Sequence, residues 1–446
     1  MINARSVCGV LLVAAMAAAQ SAPGKKLKEG EYDPYNDVVK DVNTNNFTKA
    51  LGDLEVWSQK FPDTDYKDDR SAFYVQAYAG ANQPAKAMAA AASLISRDLS
   101  TVFPGPTGQP TIVRFLYNMV WAISHDPDPT PEAMADGEKA AQQLMAYDQP
   151  IPGVSAADWE KARAGMKEQA AAALLHIAIQ PGVQAMAKQP PDCVAADAAY
   201  SRALGAYPDK SVISYELGRA LSCESKEQAA KLSAAIYEFE RAAVIDPTLG
   251  DPKGDPKKIS GFADNAYVKV HGSDEGLEPL KQLVRQSPLP PENFKIKTAT
   301  EIADERRAEF EKSNPQLALW MKIKGALSDT DGEQYFVSQL KDSGVPQLRG
   351  VLIEAKPACR PKELIVAVPL PDTQQTLRPE IRLKLDKALT GKPELNQEFH
   401  WEGVPSAFTK DPFLLTMDTE VAKIEGLKTT ACPGVALPKK NLPKKK

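Results

Sequence analysis

Cysteine is the side chain whose number and spacing point most directly to chemistry. Cys8 lies in an apolar run near the start of the chain, and Cys193, Cys223, Cys359 and Cys432 lie beyond it. None of these four forms a Cys-x-x-Cys pair of the kind used in zinc or redox sites, so an even set reads first as two disulfides, with free buried thiols as the alternative. Pairing within each region joins Cys193 to Cys223 and Cys359 to Cys432. On the chain-entropy model the first bond contributes roughly 3 to 4 kcal/mol and the second, closing a longer loop, roughly 4 to 5 kcal/mol.

Other reactive residues lack a setting. His125, His176, His271 and His400 have no second histidine at metal-binding spacing. The chain has no Gly-x-Ser-x-Gly elbow, no glycine-rich phosphate loop and no His-Glu-x-x-His. Two acidic clusters, one at Asp63, Asp65, Asp68 and Asp69 and one at Asp126, Asp128 and Glu132, do not match a calcium loop and read as caps or solvated surface. No catalytic residue, cofactor or metal is expected. A hydrolase using two carboxylates is the one enzymatic alternative, because 58 acidic residues always contain pairs that only geometry could select.

Disulfides require an oxidising compartment, and the N-terminus reads as an export signal. Residues 2–5 carry Arg5, residues 7–19 are apolar, and Ala17, Ala18 and Ala19 offer a cleavage site before Gln20. This run is too short to span a bilayer, Cys8 sits too early in it for lipid attachment, and no membrane span is expected after cleavage. A periplasmic or secreted protein follows. A net charge of −4 with signs interspersed gives no reason to expect nucleic acid as a partner. The exception is the end, where Lys439, Lys440, Lys444, Lys445 and Lys446 form a basic tail read as a solubilising terminus.

The elements that would position any site fall into two kinds. From about residue 32 to 340 apolar residues recur at three and four, which predicts a string of helices. Thr130-Pro131 and Asn314-Pro315 each place a capping side chain before a proline, where helices should begin. Between residues 192 and 247, Leu217, Gly218 and Leu221, followed by Ala235, Phe239, Ala242 and Pro247, resemble the tetratricopeptide repeat, with an intervening turn about five residues longer than the family's norm. Ala196, Tyr200, Ala203 and Pro208 repeat the theme, and Ala50, Leu54, Trp57 and Pro62 echo it. Further helical pairs are read at 68–96, 111–147 and 155–207. The resemblance implies stacked helical hairpins with a concave face for a protein or peptide, and Tyr215, Arg219 and Ser222 as the groove contacts. It also implies that Cys193 and Cys223 lie at the same end of a helix pair.

Three Asp-Pro steps at 246–256 and the run 287–291 mark connectors. Beyond residue 345 the period changes to two. Residues 380–386 and 398–402 alternate, and 348–354, 363–368, 413–418 and 421–427 are further short strands. Phe408 and Phe413 flank a strand connection, where they either recognise a ligand or pack inward. The predicted fold is mainly α: a signal peptide (1–22), a tetratricopeptide-like array of helical hairpins (23–258), a helical extension (259–345), a small antiparallel β barrel or sandwich, OB-like (346–432), and a basic disordered tail (433–446). The expected role is a non-enzymatic interaction or assembly scaffold of the cell envelope, with glycan binding by the β domain as the alternative.

Overall fold

The computed structural model describes residues 25–369 and 377–432, so the export signal, Cys8 and the basic tail lie outside the described residues. The chain divides into two compact units, Met1–Lys297 and Thr298–Lys446. Mainly helical structure followed by a small closed β barrel agrees with the expected fold class.

The first unit contains α1 (Tyr32–Asn43), α2 (Phe47–Lys60), α3 (Lys67–Gly80), α4 (Pro84–Ile95), α5 (Leu99–Val102), α6 (Gln109–His125), α7 (Pro131–Ala146), α8 (Ala156–Ala187), α9 (Cys193–Ala206), α10 (Ser211–Glu224), α11 (Lys231–Ile245), α12 (Pro256–His271) and α13 (Leu277–Leu283). Short turns join most of them, and consecutive helices pack on one another. The apolar residues collect in four successive groups rather than one centre: α1 to α3 around Trp57, α3 to α8 around Phe115 and Met119, α8 to α12 around Tyr200 and Leu217, and α11 to α13 around Tyr237 and Tyr267. In the second group the packing is less strictly sequential, since α6 meets α3, α4, α7 and α8.

Close nesting needs missing side chains. A Cβ on Gly218 of α10 would stand 2.7 Å from the Phe239 ring of α11, and one on Gly182 of α8 would stand 2.6 Å from Tyr200 of α9. Each glycine therefore admits an aromatic ring of the following helix.

Punctuation follows the local chemistry. Thr130 accepts a hydrogen bond from Ala133 N at 3.2 Å as α7 begins at Pro131. Asp246 binds Thr248 N and Gly250 N at 2.9 Å each and organises the first Asp-Pro step, and Asp255 caps α12 through Lys257 N at 3.0 Å. Asn314, by contrast, caps nothing with its side chain. It also ends the preceding helix, where its N–H binds Phe310 O, and its backbone (φ −133°, ψ 60°) departs from the extended conformation usual at an N-cap.

Helix α8 departs from the expected series of short helices. It runs 32 residues, with Pro181 inside it, and residues 169–187 carry no Asp, Glu, Lys or Arg. Among the described residues it alone is long and apolar enough, by length and composition, to cross a membrane. Its apolar residues serve two groups at once: Met166, Ala170, Ala173, Leu174 and Ile177 belong to the second, and Leu175, Ala178, Ile179, Ala185 and Met186 to the third. Both groups draw on that stretch, although Ala171, Ala172, Pro181 and Val183 remain exposed.

The second unit contains α14 (Ala299–Ser313), α15 (Pro315–Ser328), α16 (Gly332–Tyr335), a π-helical turn (Phe336–Leu340) and strands β1 (Val345–Lys356), β2 (Glu363–Ala367), β3 (Ile381–Leu385), β4 (Lys392–Pro393), β5 (Glu398–Lys410), β6 (Phe413–Thr419), β7 (Ile424–Glu425) and β8 (Thr429–Thr430). Five strands close in the order β1-β2-β3-β6-β5 and back to β1, while β7 adds to β5 and β4 pairs with β8. The β3–β6 pairing is parallel and the other four around the ring are antiparallel. A ring with an odd number of strands cannot alternate direction throughout, so one parallel pairing is forced. Strand alternation is as expected: Ile381, Leu383 and Leu385 point inward on β3, and Phe399 and Trp401 on β5.

Two expectations shift here. The stretch 421–427 is mostly not a strand: residues 421–423 turn as a 3₁₀ helix, with Val421 N donating to Asp386 at 2.8 Å, and only Ile424 and Glu425 pair. The expected helical extension is divided, because Leu317, Trp320, Ile323 and Leu327 of α15 lie in the same core as the barrel strands. The apolar stripe of α15 covers the barrel.

Candidate interaction surface

Helix α10 buries Ile213, Leu217 and Leu221 on one side. Tyr215 lies half-buried off that stripe, its ring 5.8 Å from Phe239 and 6.3 Å from Phe262, and those two rings meet edge-on at 4.9 Å. Phe262 of α12 is 46 % exposed. Arg219, one turn beyond Tyr215, is exposed and bonded to Glu216 at 2.8 Å. Ser222 is half-buried, and its carbonyl accepts from the Ser225 hydroxyl at 2.8 Å. Of the three residues expected to form the groove, Tyr215 joins an aromatic surface, Arg219 offers charge, and Ser222 meets the turn after α10 through its backbone carbonyl.

Sequence reasoning missed Phe262. Its signal was position: it sits one residue before the buried stripe of Ala263 and Tyr267, so a large apolar side chain stands off the buried face of its helix.

The cysteines stand as paired in the sequence. Cys193 and Cys223 are at disulfide distance with Cα atoms 5.9 Å apart, at the start of α9 and near the end of α10, and Cys359 and Cys432 have the same Cα separation. Two such pairs fit an oxidising environment.

The histidines are dispersed in their roles. His125 stacks on Trp121 at 4.4 Å and meets Trp121 O through Nδ1 at 2.8 Å, while His271 meets Lys297 O through Nδ1 at 2.9 Å. His400 lies half-buried on β5 opposite Arg349 and Glu425. Burial lowers the His176 pKa below the ordinary histidine value. On α8, His176, Gln180 and Gln184 follow at intervals of four, and the glutamines fasten the turn after α6. Gln180 donates to Pro127 O at 3.2 Å, and Gln184 to Asp128 at 2.8 Å and Pro129 O at 2.9 Å.

The acidic clusters are engaged by neighbours. Asp68 forms a two-pronged pair with Arg97 at 2.7 and 3.0 Å, Asp69 binds Lys25 at 2.5 Å, and Asp65 accepts from Lys26 N at 3.2 Å. Among the described residues no group of three or more His, Cys, Asp or Glu is gathered as a metal site requires.

The most displaced carboxyls are elsewhere, on α11. Glu238 and Glu240 are both 0 % exposed, and burial raises each to a pKa of about 8. They project to opposite sides of their helix, so they do not form the facing pair a glycosidase uses. A cavity of about 330 Å³ is lined by Tyr267, His271, Leu280, Leu283, Phe294 and Ile296, among others. The extended residues Phe294 and Ile296 form one wall: Phe294 meets the Tyr237 ring at 5.3 Å, and Ile296 N donates to Ser233 Oγ at 3.1 Å.

In the barrel, Phe408 and Phe413 pack inward. Phe408 meets Phe336 at 5.0 Å and Phe413 meets Trp320 at 6.0 Å, so the strand connection does not present both rings to solvent. No protein-family model, curated protein or solved structure matches the chain.

Proposed function

We propose that the chain is an exported, non-enzymatic scaffold of the cell envelope, periplasmic or secreted, whose helical unit is a degenerate tetratricopeptide-like array that binds a protein or peptide. The observation that carries this reading is the surface at Tyr215, Phe262 and Arg219, where exposed aromatic area stands beside a cation on helices that nest as successive pairs. Aromatic residues and arginine are the side chains that dominate protein recognition.

Oligosaccharide binding by the barrel is the second reading, favoured by its five-strand closure. It ranks lower because Phe399 and Trp401 are buried and Phe408 and Phe413 are packed, which leaves these four rings little face on which a sugar could stack.

Affinity capture from envelope extract tests the proposal, using the mature chain beside a Tyr215→Ala/Arg219→Ala variant whose helical content is checked by circular dichroism. A protein partner retained by the parent and lost by the variant is expected. Recovery of sugar alone, or equal capture by both chains, overturns it.

A further inference from the structure

Helix α11 is the shared wall of two cores: Ala235 and Phe239 belong to one, and Ile236 and Tyr237 to the next. Glu238 and Glu240 sit in this wall with no exposure, and among the described residues none of their four carboxyl oxygens makes a hydrogen bond of good geometry, although the Ser214 hydroxyl lies close enough to Glu238 to favour its charged form and Asp264 close enough to Glu240 to oppose it.

The surrounding charges offset burial only in part: Arg241 favours the Glu238 carboxylate and Lys281 that of Glu240, while Asp197, Asp264 and Glu278 oppose them. Glu238 is approached by Ser214 of α10, Arg241 of its own helix and Asp197 of α9. Glu240 is approached by Asp264 and Tyr267 of α12 and by Lys281 and Glu278 of α13. The cations are committed elsewhere. Arg241 donates to Ser214 Oγ at 2.7 Å, Pro208 O at 2.5 Å and Ser287 O at 3.2 Å, while Lys281 binds Asp264 at 2.7 Å and Lys231 binds Asp197 at 2.7 Å and Glu224 at 3.2 Å. Tyr237 donates its hydroxyl to Ser287 O at 3.0 Å. A carboxylate this deeply buried, with one hydroxyl at most to solvate it, is favoured to keep its proton or to leave the core.

We propose that α11 is a proton-held latch: with both carboxyls protonated it seats between its neighbours, and when base in solution removes those protons the segment from α10 to α13 loosens. The aromatic surface at Tyr215 and Phe262 lies within that segment, so its presentation would follow the same change.

Hydrogen exchange on the mature, full-length chain, corrected for intrinsic rates, tests this. Protection across α10 to α13 should fall at least about tenfold between about pH 6 and about pH 9, with α1 to α4 changing little. In Glu238→Gln/Glu240→Gln, where each amide stands in for a neutral carboxyl, the fall should shrink below about threefold. Equal loss in parent and variant, or no local loss in the parent, overturns the latch. Should the double variant not fold, carboxyl-carbon NMR of the parent decides: two glutamates titrating above about pH 7 support it, and a full set titrating below about pH 5.5 refutes it.

Discussion

Apolar side chains from α1 to α13 are buried in four successive groups, whereas those of α15, the π-helical turn and the barrel strands converge on one. The polar content differs as well. Glu31, Asp41, Glu224, Glu238, Glu240 and Arg241 are buried in the helical unit, while the barrel unit buries only Thr416 and Thr419 among described polar residues. The buried polar residues of the helical unit are spread among groups of different size, the second of which draws on all of α3 to α8. A closed ring shares one interior among all its strands, so any defect reaches every one of them.

The largest effect should come from the closed ring. Trp401→Ala empties the centre of the barrel and should cost about 3 to 5 kcal/mol, removing the barrel's cooperative melting while helical ellipticity persists. If both signals disappear together, the units do not differ as described. The matching change in the serial core, Leu54→Ala, should cost about 2 to 5 kcal/mol, with hydrogen exchange rising in α1 to α3 and not beyond α8.

Next are the cysteine pairs. Cys359→Ser should lower stability by roughly 4 kcal/mol and Cys193→Ser by roughly 3, the order following the 73- and 30-residue separations. Mass measurement with and without reductant, on protein taken from its own compartment, should show four fewer hydrogens in the oxidised form. Titratable free thiols there would rule the bonds out.

The pH response should separate the units again. Burial keeps Glu238 and Glu240 protonated up to about pH 8 in the folded chain, whereas in the unfolded chain they release their protons near 4.5, the ordinary glutamate value. The native state therefore binds more protons between these limits, and helical-unit stability should fall as pH rises through that window, by an amount on the order of a few kcal/mol. Melting of the barrel should be nearly flat there. The smallest of these effects is steric: Gly218→Ala drives a methyl against the Phe239 ring and should cost about 1 to 3 kcal/mol by thermal denaturation.

Much of this was legible in the residues. The change of period near residue 345 located the barrel, because an inward face with one wet side leaves alternation in plain view at Ile381, Leu383 and Leu385. The cysteine partners were legible too, since pairing within each region was the simplest use of an even set, and the repeat resemblance implied that Cys193 and Cys223 share one end of a helix pair. Asn314-Pro315 marked where α15 begins but not which surface it covers, because a helix start does not say what its apolar side meets. Nor could periodicity reveal that α8 serves two cores, since a helix apolar on both sides gives almost no moment. Phe262 and the burial of Glu238 and Glu240 depend on neighbours distant in sequence, which no local spacing records.

One feature of α8 bears on how this chain can change over generations. Because a single unbroken helix sets the angular phase of the groups before and after it, adding one residue within it would rotate everything downstream by about 100°, turning the faces of α9 and α10 away from their partners. Lengthening or trimming should be tolerated in the Asp-Pro connector after α11 and rejected along α8, which acts as the keel to which both halves of the array are registered.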